Sequence, residues 1–199
     1  MNPLPLVIKA DIRTTNMRKL FWFLIALSFS FNGTMTYAVE ANPADDWTRD
    51  EKQMHDALQE ARPNATEAEI QEAIGHTLLS ANNQWQRAEV HLKRALQLDP
   101  KRSTAAYDLG LVFIDSPEGN EYFKKAIAAD STFAAPLYWL GCNAVRSGSD
   151  PEAVKFLEKY LKIAQGKEEE GRIKVATAVL EELHSGAPGD EVERLRSKD

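Results

Sequence analysis

The chain has 199 residues, 43% hydrophobic and 27% charged, a composition that supports one globular domain with enough apolar residues for a core. Of its 24 Lys and Arg and 30 Asp and Glu, four and one lie in the first 38 residues, so the rest holds 20 against 29, formally −9. That acidic body repels nucleic acid and anionic lipid, and the single cysteine, Cys142, allows neither an intrachain disulfide nor a cysteine-rich metal site.

Met17-Arg18-Lys19 precedes the run LFWFLIALSFSF at 20–31. Small residues follow, with a candidate cleavage pair at Thr36/Ala38 and a second at Val39/Ala41. A short positive region, an apolar run and small residues make the pattern of a secretory signal. The run is shorter than the ~20 residues that span a bilayer; the competing reading keeps it as an uncleaved anchor. Residues 1–16 either lengthen the positive region or precede a true start at Met17. No cysteine follows the run for lipid attachment. The expected location is therefore periplasmic or secreted, with membrane contact only through an uncleaved anchor. In such a compartment Cys142 reads as a small buried apolar residue, with a reactive or intermolecularly paired thiol as the sharper alternative.

Residues 39–47 read as a polar lead. Thr48 and Glu51 then form a capping box that opens a helix to about Ala61, before Pro63. Thr66 and Glu69 form a second box, followed at helical spacing by Ile70, Ala73, Ile74, Thr77 and Leu78. SANNQ at 80–84 is a turn. A third helix carries Ala88, Leu92, Ala95 and Leu96 and stops at Asp99-Pro100, where proline cannot continue it. Ser103 is the expected cap of the fourth, which turns Ala106, Leu109, Gly110 and Phe113 inward until Asp115-Ser116-Pro117 breaks it. Tyr122, Phe123, Ala126 and Ile127 line the fifth. The stretch 134–164 makes two more around Ser149-Asp150-Pro151, with proline at the start, where its missing N–H costs nothing. Ile173, Ala176, Leu180 and Leu183 mark a closing helix over about 167–184, stopped by Gly186. The charged tail from Gly189, weakly anchored by Val192 and Leu195, is expected to be a frayed helix or disordered. No stretch alternates with a period of two, so no sheet is expected and the fold class is all-α.

A shift of 31 residues lays Lys93 to Gly110 (KRALQLDPKRSTAAYDLG) on Lys124 to Gly141 (KKAIAADSTFAAPLYWLG). Ala95/Ala126, Asp99/Asp130, Tyr107/Tyr138, Leu109/Leu140 and Gly110/Gly141 are identical pairs. Self-similarity at this period marks stacked helical hairpins, none of which buries its apolar face alone. With Ala88, Leu92, Ala95 and Pro100, then Leu109, Gly110 and Phe113, then Leu137, Leu140, Gly141, Ala153 and Leu157, the chain resembles the tetratricopeptide repeat (TPR) family, whose unit is a 34-residue helix-turn-helix. The resemblance covers roughly residues 66–165, about three units. It implies a right-handed superhelical stack, a TPR-like α-solenoid. The middle unit is three residues short, which places a deletion in the turn at 115–119, and Gly119 stands where the family has Ala. Ile74-Gly75 matches Leu-Gly only loosely.

The resemblance also implies where a partner sits. Ligand contacts in the family come from the first helices, on the concave face, at positions that fall here on Tyr107 and Leu111, on Tyr138, Cys142 and Arg146, and on His76. Two tyrosines, one per repeat, suit a peptide groove, and Arg146 suits a carboxylate or backbone anchor. Either tyrosine equally suits packing between helices. The basic and asparagine clamp that some members use for acidic tails is absent. His55, His76, His91 and His184 form no HExxH or similar pair, and no phosphate loop or GxSxG element is present. No catalytic residue, metal ligand or cofactor site is assigned. The expectation is a scaffold binding a protein or peptide in assembly of an envelope complex, the alternative a membrane-anchored structural subunit.

Overall fold

A computed structural model describes residues 49–82, 84–166, 169–186 and 189–197. The expected signal at 17–38, its cleavage pairs, the anchor alternative and the capping Thr48 lie outside these residues. Nine α-helices and no strand occur among the described residues. They are α1 (Arg49–Ala61), α2 (Glu67–Asn82), α3 (Trp85–Leu98), α4 (Ser103–Val112), α5 (Pro117–Ala129), α6 (Ala135–Arg146), α7 (Asp150–Ile163), α8 (Glu170–Ser185) and α9 (Asp190–Arg196). No described helix is long and apolar enough to cross a membrane.

Local chemistry sets most boundaries. The Thr66–Glu69 capping box is formed: the Thr66 N–H donates to Glu69 Oε2 at 2.8 Å, and the Glu69 N–H to Thr66 Oγ1 at 3.3 Å, so each side chain satisfies a backbone donor that the helix leaves unpaired. The repeated aspartates make the turns between hairpins. Asp99 Oδ1 accepts the Lys101 N–H at 3.0 Å, and Asp130 Oδ1 the Thr132 N–H at 2.9 Å, which explains why that residue recurs across the 31-residue shift. Pro117 and Pro151 sit in first turns. Gly186 ends α8 with φ +72°, a left-handed cap that glycine adopts without a Cβ penalty. Ser103 is a correction: it is the first residue of α4, and Arg102 holds the cap position without a side-chain bond.

The helices pack as consecutive pairs, α2 with α3, α4 with α5 and α6 with α7, each pair docking on the next. A glycine sits at each crossing. A Cβ on Gly75 would lie 2.6 Å from Leu92 Cγ, one on Gly110 2.3 Å from the Phe123 ring, and one on Gly141 2.5 Å from Leu157 Cδ2. Those distances are well inside van der Waals contact, so the close approach of each pair depends on glycine. Gly119 departs from the family's alanine for the same reason, since its Cβ would stand 2.3 Å from the Phe113 carbonyl oxygen. The expected deletion in the turn at 115–119 is corrected: the α4–α5 connection, 113–116, is no shorter than the α6–α7 connection, 147–149, and the middle unit loses residues from its helices, α4 having 10 against 12 in α6 and α5 13 against 14 in α7.

Two apolar clusters fill the stack. One joins Ile70, Ile74, Leu92 and Leu109 with their neighbours on α2 to α4; the other joins Tyr138, Val145, Leu157, Val179 and Val192 on α6 to α9. α1 is held to the first by a buried polar network. Arg87 Nε donates to Glu51 Oε1 at 2.5 Å, His91 Nδ1 and Gln71 Oε1 are 2.8 Å apart, and Gln71 Nε2 donates to Glu67 Oε1 at 2.6 Å. Glu51, Gln71 and His91 are all buried, and burial holds the His91 imidazole below its ordinary range against the pull of Glu51.

Of the two alternatives for the tail, the helix is the one present. It is α9, with Val192 and Leu195 buried against α6 and α8.

Candidate functional site

The predicted residues divide into an open set and a closed set. His76 on α2 is 58% exposed, and its Nδ1 lies 2.8 Å from Oδ2 of Asp108 on α4, a carboxylate that is 1% exposed. Burial pushes the Asp108 carboxyl up, and the contact with His76 pulls the other way. The pair bridges the first helices of two successive repeats. Leu111, three residues past Asp108 on the same helix face, is half-buried.

Beside this pair is a cleft of about 590 Å³ whose lining includes Leu58 and Arg62 from the end of α1, Glu72, His76 and Thr77 from α2, and Arg102. Arg102 crosses between repeats, its Nε donating to Glu72 Oε2 at 2.5 Å and its Nη1 to Glu69 Oε1 at 3.3 Å. Charge-assisted bonds of this kind fix the rim of the cleft. No hydroxyl or thiol among the described residues is hydrogen-bonded to His76, so the His76–Asp108 pair lacks the attached nucleophile of a catalytic triad there. No group of three or more described His, Cys, Asp or Glu residues is arranged to hold a metal ion.

Tyr107 is half-buried. Its hydroxyl accepts the Trp139 indole N–H at 3.2 Å, and its ring lies 5.0 Å from Phe133 and 6.0 Å from Phe123. It therefore welds the second repeat to the third while leaving part of its surface exposed.

Tyr138 and Cys142 are corrections as groove residues. They are 9% and 2% exposed, inside the apolar cluster, with the Tyr138 ring 5.4 Å from both Tyr160 and Trp139. The Tyr107 and Tyr138 rings are not stacked on each other: Tyr107 lies against Phe123 and Phe133, Tyr138 against Tyr160, and Trp139 touches both. The Cys142 thiol is pushed up by burial, the state of an inert packed cysteine. Arg146 is half-buried and stands apart from the cleft. Its Nη1 donates to Asn143 Oδ1 at 2.8 Å, and Asn143 Nδ2 donates to Asn120 Oδ1 at 2.7 Å. These residues line a separate depression of about 190 Å³ by the α4–α5 turn.

The pattern at helical spacing misses Asp108, Glu72 and Arg102. A carboxylate among apolar neighbours in LGLV-type helix sequence was the available signal for Asp108; the partner 32 residues away was not visible locally.

No family model matches the chain, and no curated protein matches it. Among solved structures, the crystal structure of MamA superposes with a TM-score of 0.53 at 23% identity, over 73% of this chain and 82% of that chain. The likeness is one of fold: the described chain is an all-α solenoid of TPR-like helix pairs.

Proposed function

We propose that this chain is a TPR-family scaffold that holds a protein or peptide partner on the first-helix face of its N-terminal repeats, in the cleft lined by Leu58, His76 and Arg102, with Leu111 outside it. The observation that carries this reading is the exposed imidazole of His76 backed by the buried Asp108 carboxylate. The carboxylate orients the ring and leaves Nε2 facing outward for a partner's hydrogen bond. Glu72 and Arg102 supply fixed polar groups beside it, and Leu58 and Ala73 apolar contacts. A few placed polar groups around a partly apolar cleft suit recognition of a peptide segment. The fold supports binding over catalysis, since stacked repeats present extended surfaces of this kind.

The test is display of random peptides against the purified chain. Sequences enriched on the unaltered protein are expected to lose at least about tenfold in affinity, some 1.4 kcal/mol, with His76→Ala and with Thr77→Arg, an exposed residue of the cleft lining, at unchanged thermal stability. Enrichment indifferent to both variants would place the site elsewhere. Export rests on the 17–38 pattern: we infer that the mature protein begins near Val39 or Asn42 and works in the periplasm or outside the cell, in assembly of an envelope complex. N-terminal sequencing of the native protein decides between this and a retained anchor at 20–31.

A further inference from the structure

α9 does not lie where continued stacking would put it. The second helix of a fourth unit would join the layer of α3, α5 and α7. α9 contacts α8 and α6 instead. Its Val192 and Leu195, three residues apart and so on one face, enter the cluster that contains Tyr138, Cys142 and Val145. Arg194 stands near enough to Tyr138 and Cys142 for its charge to act on both. At its far end Arg196 donates from Nη2 to Asp150 Oδ1 at 2.5 Å and from Nε to the Val145 carbonyl at 3.4 Å. At its near end Glu182 of α8 accepts the N–H groups of Glu191 and Val192 at 3.1 and 2.8 Å.

The positions beneath α9 are register equivalents of the open ones. Tyr138 and Cys142 correspond to Tyr107 and Leu111 across the 31-residue shift, and among the described residues only the first pair is covered by such a helix. α9 has 7 residues, too few to persist as a helix alone. Two apolar side chains, one half-exposed ion pair, the Arg196 bond to the Val145 carbonyl and the two bonds to Glu182 hold it, and left-handed Gly186 precedes it. It is thus a separable ligand in form: a short helix lying on a first-helix face, with its chemistry written in its own sequence.

We propose that the α6 face is a binding site for a short amphipathic helix bearing two apolar residues three apart and a basic residue after the second, and that α9 is its intramolecular occupant, exchangeable with a partner helix of that kind. The apolar pair meets Tyr138, Cys142 and Val145, and the basic residue meets Asp150 and the end of α6. This deepens the scaffold reading above and rests on it for the use of first-helix faces.

Cys142 is the chain's only thiol and lies in the covered cluster, so its rate of reaction with a small maleimide reports α9. In the full chain it is expected to react slowly. Val192→Asp with Leu195→Asp is expected to speed the reaction by more than about tenfold, as local opening becomes favourable, while circular dichroism shows the repeats still helical. An excess of the peptide GDEVERLRSKD (residues 189–199) then slows it again, and the peptide with both apolar residues changed to Asp does not. If the double variant unfolds, Leu195→Ala with Arg196→Glu carries the same readout. An unchanged rate, or no protection by the peptide, overturns the proposal. So does protection in the unaltered chain that grows with protein concentration, since the occupant would then be a second copy's α9. No partner of the N-terminal cleft enters the experiment, so it can fail while the cleft reading stands.

Discussion

Tyr107 and Tyr138 occupy the same position in consecutive repeats, on first helices paired to second helices across the same glycine. Around Tyr107 the first-helix face stays open and polar, with His76, Asp108, Glu72 and Arg102 knit across α2 and α4. Around Tyr138 it is apolar and shut beneath Val192 and Leu195. The difference teaches that a repeat specifies how helices pair, and that the use of the resulting surface depends on residues outside the repeat. Val192 and Leu195, from a seven-residue helix outside the repeats, join the cluster that closes that face together with Tyr160 of α7 and Val179 of α8.

The strongest way to break this comparison is to put the same side chain into both halves. Gly141→Leu and Gly75→Leu each drive a leucine into its partner helix, at Leu157 and at Leu92. Overpacking of this kind costs about 1–3 kcal/mol, so both variants should lower the urea midpoint. Only Gly141→Leu should also accelerate labelling of Cys142, which shares its helix and cluster. Equal acceleration by Gly75→Leu would mean that the two halves open together and that the division between them is not energetic.

The glycine and alanine ladder was legible in sequence because it is local, periodic and repeated. Even Gly75, which reads as a loose match, does the same work as Gly110 and Gly141. In α9 only the anchors were legible: Val192 and Leu195 stand out as two apolar residues in a charged stretch, too few to fix a firm helix, and what they cover is a tertiary fact. Asp108 was hidden for a related reason. An acid is ordinarily exposed, and its burial becomes affordable only through His76, which stacking alone brings near. Tyr138 and Cys142 followed the family's positions correctly, but position in a repeat fixes direction, and exposure depends on what lies above.

A second prediction tests the open half through its anchor, α1. His91 is buried at the meeting of α1, α2 and α3, facing Glu51 from α1, Gln71 from α2 and Arg87 from its own helix. Its folded pKa lies below the ordinary 6.5. The unfolded chain therefore binds a proton near pH 6.5 that the fold takes up only at lower pH. The His91 contribution to stability is fully present above pH 6.5 and is lost as pH falls below it, through the folded value. Denaturant midpoints at pH 7.5 and 5.5 should fall with acidification in the unaltered chain. The fall should be smaller in His91→Asn, which keeps a donor toward Gln71 but does not titrate. Equal falls in both would assign the pH dependence to other groups. The ratio of Cys142 labelling in His91→Asn to that in the unaltered chain, in which the thiol's own titration cancels, should stay the same at the two pH values.

The smallest expected effect belongs to Arg196→Ala. Arg196 and Asp150 form an ion pair whose side chains are each partly open to water, and such pairs contribute about 0.2–1 kcal/mol, less at high salt. The global melt should therefore barely move. The local consequence should be larger, because this pair and the bond to the Val145 carbonyl are the polar ties at the far end of α9. With few other ties, a loss invisible in the whole fold becomes a several-fold rise in the open population of one short helix. Cys142 labelling in Arg196→Ala should exceed that of the unaltered chain at low salt, and the two should converge as salt screens the pair in the latter. Rates that stay identical at low salt would leave Val192, Leu195 and the bonds to Glu182 holding α9, and the basic residue would drop out of the recognition pattern.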